Sequence, residues 1–137
     1  MSKPSVLVTR RIPSAVLAKL EGACDVDMYR QGDLPHEELL SRLAGKQGLL
    51  SVVTDTIDRP VFEAGRDLKV VSTIAVGYNN IDVAAAREHN VVVTNTPDVL
   101  TEAAADLTWS LILSMTRRIV EGDRLARRGA WKGFALD

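Results

Sequence analysis

Cysteine is almost absent from this 137-residue chain, where Cys24 stands alone. A single thiol excludes an internal disulfide and any cysteine-cluster metal site. Excess charge of one sign is absent as well. Lys and Arg number 17 against 18 Asp and Glu, for a net charge of −1, which argues against bulk nucleic-acid binding. No apolar run approaches the roughly 18–20 residues that span a membrane. The opening Met-Ser-Lys-Pro-Ser-Val-Leu-Val-Thr-Arg-Arg has no apolar segment ahead of a small-residue cleavage site, so the expectation is no secretory signal and a cytoplasmic protein. None of the nine glycines forms G-x-G-x-x-G after a strand. The nearest spacing, Gly129 and Gly133, lies in a tail with no preceding strand. A Walker-type phosphate loop is missing too, as are internal repeats and low-complexity segments.

What is present is ordinary for a globular protein. Apolar residues make up 46% and charged residues 26%, and Val, Leu, Ile and Ala runs recur throughout, which excludes disorder. The length suits one domain, or one domain plus part of another. Ser5–Thr9, Gly48–Val53, Lys69–Ile74 and Asn90–Thr94 read as strands, being short, apolar and β-branched, and Asp25–Tyr29 reads as one because Val26 and Met28 alternate with polar residues. Helical stretches separate them. Pro13 opens one that Gly22 closes, and Pro35 to Leu43 carries acidic residues in its first turn. Asp58 can cap a third, with Pro60 in its first turn and Gly65 past its end, and Asp82 can cap a fourth that runs to His89. From Thr101, a possible N-cap, Ala103, Leu107, Leu111, Met115 and Ile119 recur at helical spacing to about Arg128, with Gly122 as the expected break or kink. Strands alternating with helices give an α/β fold: an open parallel five-stranded sheet with helices on both faces over residues 1–98, followed by a long helix that leaves that domain.

In such a sheet ligands bind outside the carboxyl ends of the strands. Those ends here are Thr9-Arg10-Arg11, Val53-Thr54-Asp55, Ile74 to Asn79, and Thr94 to Pro97. The third is the richest. Gly77 permits a close backbone approach or a positive φ, and free amides ahead of a helix can hold a carboxylate or phosphate. Gly77 can equally serve a tight turn alone. His36, beside Glu37, and His89, beside Glu88, read as solvated surface histidines, and Cys24 as a buried small apolar residue. Arg117, Arg118, Arg124, Arg127, Arg128 and Lys132 make the last segment locally basic. Only Trp131 and Phe134 interleave there, so a solvated helix face is the better reading. Trp109 among Leu107, Leu111 and Ile112 reads as core or interface.

Two stretches carry a resemblance. Val70-Val-Ser-Thr-Ile-Ala-Val-Gly-Tyr-Asn-Asn-Ile-Asp82 and Val91-Val-Val-Thr-Asn-Thr-Pro-Asp-Val-Leu-Thr-Glu-Ala-Ala-Ala-Asp-Leu107 resemble the D-isomer-specific 2-hydroxyacid dehydrogenases. Leu111-Ile-Leu113, Arg117-Arg118 and Gly129-Ala-Trp131 fit the same family. Among its members the likeness is to glyoxylate/hydroxypyruvate reductases. The resemblance implies a flavodoxin-like substrate (catalytic) domain and a Rossmann domain holding NAD or NADP. In such enzymes hydride passes between the nicotinamide and a small 2-oxo or 2-hydroxy acid, a histidine supplies the proton, a glutamate raises its pKa and an arginine binds substrate. A homodimer is implied for the full-length member.

By the same resemblance, residues 1–98 correspond to an incomplete substrate domain. Residues 99–137 correspond to the interdomain helix and the start of the NAD(P)-binding domain, ahead of its Rossmann motif. Carried over residue by residue, the backbone pair that binds the substrate carboxylate falls on Val76 and Gly77. The pocket-lining loop after the third strand falls on Val52 and Val53, and a threonine near the cofactor falls on Thr101. The family's Arg, Glu and His have no counterpart in this chain, and neither histidine here takes a catalytic position. The expectation is therefore an oxidoreductase family member whose chain alone is inactive. The alternative is a non-catalytic interaction or dimerisation module built on the exposed helix from Thr101, against which a clean monomer on size exclusion would count. A phospho-receiver reading, which needs an acidic cluster after the first strand and an acceptor Asp after the third, fails because Arg10-Arg11 follows the first, although Asp55 does follow the third.

Overall fold

A computed structural model describes residues 2–134. The chain gathers into two compact units, Met1–Asp98 and Val99–Asp137.

The first unit is an open α/β sheet. Its strands are β1 (Ser5–Val8), β2 (Asp25–Met28), β3 (Gly48–Ser51), β4 (Val70–Thr73) and β5 (Val92–Thr94). Between them run α1 (Ser14–Ala23), α2 (His36–Arg42), α3 (Arg59–Ala64) and α4 (Val83–Glu88). The sheet order is β2-β1-β3-β4-β5 and every neighbouring pair is parallel, which is the flavodoxin-like order. One face packs under α2, α3 and α4. Leu7, Leu49 and Val71 of the strands meet Leu39, Val61, Phe62, Ala85 and Ala86 of the helices, and Leu43 just past α2, in one buried cluster. Right-handed crossover puts α1 on the opposite face, because β1 to β2 runs against the direction of the other connections. On that face Val6 lies opposite Gly48, and Gly48 opposite Val70. A Cβ on Gly48 would stand 3.2 Å from Val6 Cγ2, so glycine lets the two valines close over β3.

The strands end earlier than their apolar runs. Thr9, Val52, Val53 and Ile74 lie beyond the last paired residues. At β3 the reason is a turn: the Asp55 amide donates to the Val52 carbonyl at 3.0 Å. At its start β5 loses Asn90, whose φ of 57° is left-handed and incompatible with a strand. Gly22 lies inside α1, which ends at Ala23 with Cys24 extended and half-buried rather than buried. Asp58 takes the N-cap position of α3 but makes no cap hydrogen bond. Its carboxylate sits 3.0 Å from His36 Nε2 instead, so His36 is half-buried and paired rather than solvated. Asp82 does cap α4, accepting from the Ala85 amide at 2.8 Å.

Arg59 and Glu88 join α3 to α4 through a two-pronged pair at 2.6 and 3.1 Å. Hydrogen bonding from Arg59, and then its charge, hold the Glu88 carboxyl below the usual carboxylate range. A folded-state pKa below the unfolded value adds stability that is present above the unfolded pKa and lost as pH falls through the folded one. Glu88→Gln should therefore be less stable than the parent at neutral pH, and the gap should close in acid. Urea melts of both proteins at pH 7 and below pH 4 measure it, and a gap that stays constant would contradict the pairing. Both side chains are largely exposed, so the effect is small.

The second unit contains α5 (Thr101–Thr116) and α6 (Ile119–Arg127). The expected long helix is thus two helices, and the break is at Arg118, not Gly122. Arg118 adopts φ 53° and its amide closes a turn on Met115 O at 3.2 Å. Gly122 continues α6 with its amide on Arg118 O at 3.0 Å. The N-cap of α5 is Leu100, with Thr101 as the first helical residue. Among the described residues no helix is long and apolar enough to cross a membrane.

Candidate functional site

Because every strand runs the same way, the loops after β1, β3, β4 and β5 share the carboxyl edge of the sheet. The order of connection reverses between β1 and β3, the place where open sheets of this kind leave a crevice. Two loops there are tied by a buried polar network. Thr9 Oγ1 donates to Asp55 Oδ2 at 2.5 Å, and the Val52 amide donates to the same oxygen at 2.8 Å. Thr9 is 1% and Asp55 9% exposed, so this carboxylate holds the β3 turn from inside. Asn80 Nδ2 then bridges to the β4 loop by donating to the Asp55 carbonyl at 2.8 Å and to the Val52 carbonyl at 3.3 Å. The result presents Val52 half-buried and Val53 open to solvent.

The β4 loop, residues 74–79, is anchored at its start and along its flank. The Ile74 amide donates to Ser51 O at 2.9 Å and the Thr96 amide to Ala75 O at 2.9 Å. Asn95 Nδ2 donates to Val76 O at 2.7 Å. Among the described residues the amides of Val76 and Gly77 donate to nothing. Gly77 has no left-handed φ, and a Cβ there would meet nothing within 4 Å. The fold therefore does not require glycine at this position, and the positive-φ reading of Gly77 falls away. What remains is a bare, exposed peptide with free donors, suited to an anion. A shallow cavity of about 270 Å³ lined by Tyr78, Val83, Val93, Thr94 and Asn95 adjoins the loop.

Val52, Val53, Val76 and Gly77 thus come together on the ends of adjacent strands. Thr101 belongs to the second unit, exposed in the first turn of α5. Arg10 is held by Asp33 and by Thr54 Oγ1, the latter at 3.1 Å, so its guanidinium is already engaged. His89 ends α4 stacked over Phe62, ring centroids 6.3 Å apart. Asn95, Asn80 and Thr9 escaped individual notice in the sequence, and Asp55 was noticed only as the acid after the third strand. Their one signal was position, as polar residues at or just past the ends of apolar strands on a single sheet edge. Among the described residues no cluster of His, Cys, Asp and Glu could hold a metal. The described residues after Val99 build two helices and no strand. They do not fit a dinucleotide, whose pyrophosphate needs a strand, a glycine turn and a helix N-terminus in succession.

Comparison with known proteins agrees with this architecture. The family profile described as D-isomer specific 2-hydroxyacid dehydrogenase, catalytic domain, matches residues 6–126. A glyoxylate reductase of Thermofilum pendens is 46% identical over 133 residues, which is 96% of this chain and 39% of that protein. A glyoxylate reductase of Korarchaeum cryptofilum is 44% identical over 131 residues, 95% of this chain and 40% of that protein. Among solved structures, the TT0316 protein of Thermus thermophilus superposes with a TM-score of 0.86 at 45% identity, covering 97% of this chain and 43% of that one. An NADPH-dependent glyoxylate/hydroxypyruvate reductase of Sinorhizobium meliloti, solved with NADP and malonate, gives 0.77 at 29% identity, covering 99% of this chain and 42% of that one. The chain thus spans about two fifths of the length of these curated relatives. With its parallel sheet and a family match along most of its length, the chain belongs to the D-isomer-specific 2-hydroxyacid dehydrogenases.

Proposed function

We propose that this chain carries the substrate-holding part of a glyoxylate reductase-type enzyme, which reduces a small 2-oxo acid with a nicotinamide cofactor. The observation that carries the reading is the pair of free amides at Val76 and Gly77 on the carboxyl edge of the sheet. They receive the substrate carboxylate, while Val52 and Val53 line the same crevice. The names of the relatives support glyoxylate as the substrate to try first. Thr101 lies beside the cofactor in the same reading, and the intact enzyme is a homodimer. The exposed apolar side chains Leu107, Leu111 and Met115, spaced four residues apart along one face of α5, favour a second role for that helix, pairing with another chain.

Alone, the chain binds substrate weakly and turns nothing over. Two hydrogen bonds of about 0.5–1.5 kcal/mol each fall short of the roughly 4 kcal/mol behind a millimolar Kd. His36 pairs with Asp58 and His89 stacks on Phe62, and the reading gives neither a part in proton transfer. The test has two arms. NADPH and NADH oxidation with glyoxylate or hydroxypyruvate should stay at background for the purified chain. Glyoxylate titrated to high concentration should shift the Val76 and Gly77 amide resonances before any others. Turnover that survives repurification, or shifts confined to other loops, would overturn the reading.

A further inference from the structure

Two successive carbonyls, those of Ala75 and Val76, turn to the same short segment. Ala75 O accepts the Thr96 amide at 2.9 Å and Val76 O accepts the Asn95 side-chain amide at 2.7 Å. In a strand, successive carbonyls point to opposite sides, so the backbone at 75–77 has left strand geometry just past the end of β4. Each trans peptide is planar, with its N–H opposed to its C=O. Holding the Ala75 carbonyl therefore sets the Val76 amide, and holding the Val76 carbonyl sets the Gly77 amide. Both amides must point away from residues 95–96. Strand β4 has β5 on one side and β3 on the other, so both amides turn to the β3 side, where Val52 and Val53 form the turn after that strand. Two like-turned amides make a concavity for an anion.

We propose that Asn95 is a positioning residue: by holding the Val76 carbonyl it fixes the direction of the Gly77 amide that meets the substrate carboxylate. This rests on the reading of the β4 loop given above. The Thr96 bond is backbone to backbone and needs no particular side chain. The Asn95 bond needs a donor of a particular reach. Asn95 is half-buried, and its side chain makes no other hydrogen bond among the described residues.

Asn95→Leu removes the donor at similar volume, and Asn95→Gln restores one. Three readouts on the full chain separate the outcomes: nitrogen relaxation of the Gly77 amide without ligand, thermal unfolding, and titration with glyoxylate. In Asn95→Leu the Gly77 amide should lose order and glyoxylate binding should weaken about two- to tenfold, the range that one hydrogen bond sets. The unfolding midpoint should hold, and Asn95→Gln should recover part of both losses. A Gly77 amide as ordered in Asn95→Leu as in the parent overturns the inference, whether or not glyoxylate binds. So does a general loss of dispersion across the amide spectrum, which would mark Asn95 as merely structural. A parent chain whose Val76 and Gly77 resonances ignore glyoxylate, with Gly77 still loosened by Asn95→Leu, supports the fixed amide direction and overturns the substrate reading instead.

Discussion

Phe62→Ala should destabilise the first unit by about 3–5 kcal/mol, the usual cost of emptying a buried aromatic site. Phe62 is fully buried and is the bulkiest of the enclosed side chains. It sits on α3, a helix of six residues, too short to hold itself together without tertiary packing. Val61 beside it and Ala85 and Ala86 of α4 belong to the same cluster. A loss of this size is a large fraction of the roughly 5–15 kcal/mol that holds a typical domain together. Urea unfolding followed by circular dichroism measures it, and a loss under about 1 kcal/mol would mean that Phe62 is not the core residue described.

Asp55→Ala should cost about 2–4 kcal/mol, although it removes a polar group. Without the carboxylate, the Thr9 hydroxyl and the Val52 amide lose their shared acceptor inside the protein, and an unmet buried donor costs about 1–3 kcal/mol. The 2.5 Å Thr9–Asp55 contact is of the short, charge-assisted kind, about twice as strong as a neutral bond. Thr9→Val keeps the shape and removes the donor, so it should cost less. The two substitutions together should cost clearly less than the sum of each alone, since they delete one shared bond. Strict additivity in the four-protein cycle would show that the pair does not interact. Asp55→Ala should also loosen the β3 turn and broaden the Val52 and Val53 amide resonances, tying this stability loss to the crevice.

Much of the fold was legible because the sheet is parallel and covered. Strands such as Leu49-Leu50 and Val70-Val71 read as apolar runs, and the Pro, Gly and Asp signals around them marked the helices. Legibility failed where a residue's role depends on a distant partner. Val52 and Val53 continue an apolar run, yet they belong to a turn that Asp55 makes. Asp58 is a good cap by type, but His36, 22 residues away, takes its carboxylate. Gly122 looked like the weak point of the last helix, and the chain breaks at Arg118, a residue no propensity would choose for a left-handed backbone. The site was half legible in the same way. The family resemblance indicated Val76 and Gly77, and their position at the end of β4 followed from the strand pattern. Asn95 and Asn80 could not be singled out, because a side-chain amide that holds a carbonyl in another loop leaves no periodic trace.

The sheet order also governs how the chain can be assembled in time. No two neighbouring strands are joined by a hairpin, so no pair can zip up from a two-residue turn. Strand β1 lies between β2 and β3, and its second edge waits for Gly48 to meet Val6 across about 40 residues of intervening chain. Each pairing closes a long loop before its contacts are rewarded, which slows folding and leaves apolar strand edges open in the meantime. On a ribosome, β1 emerges first and keeps one edge open until β3 follows it. The interior strands β1, β3 and β4 are thus closed in chain order, each keeping one bare edge until β3, β4 and β5 respectively are made.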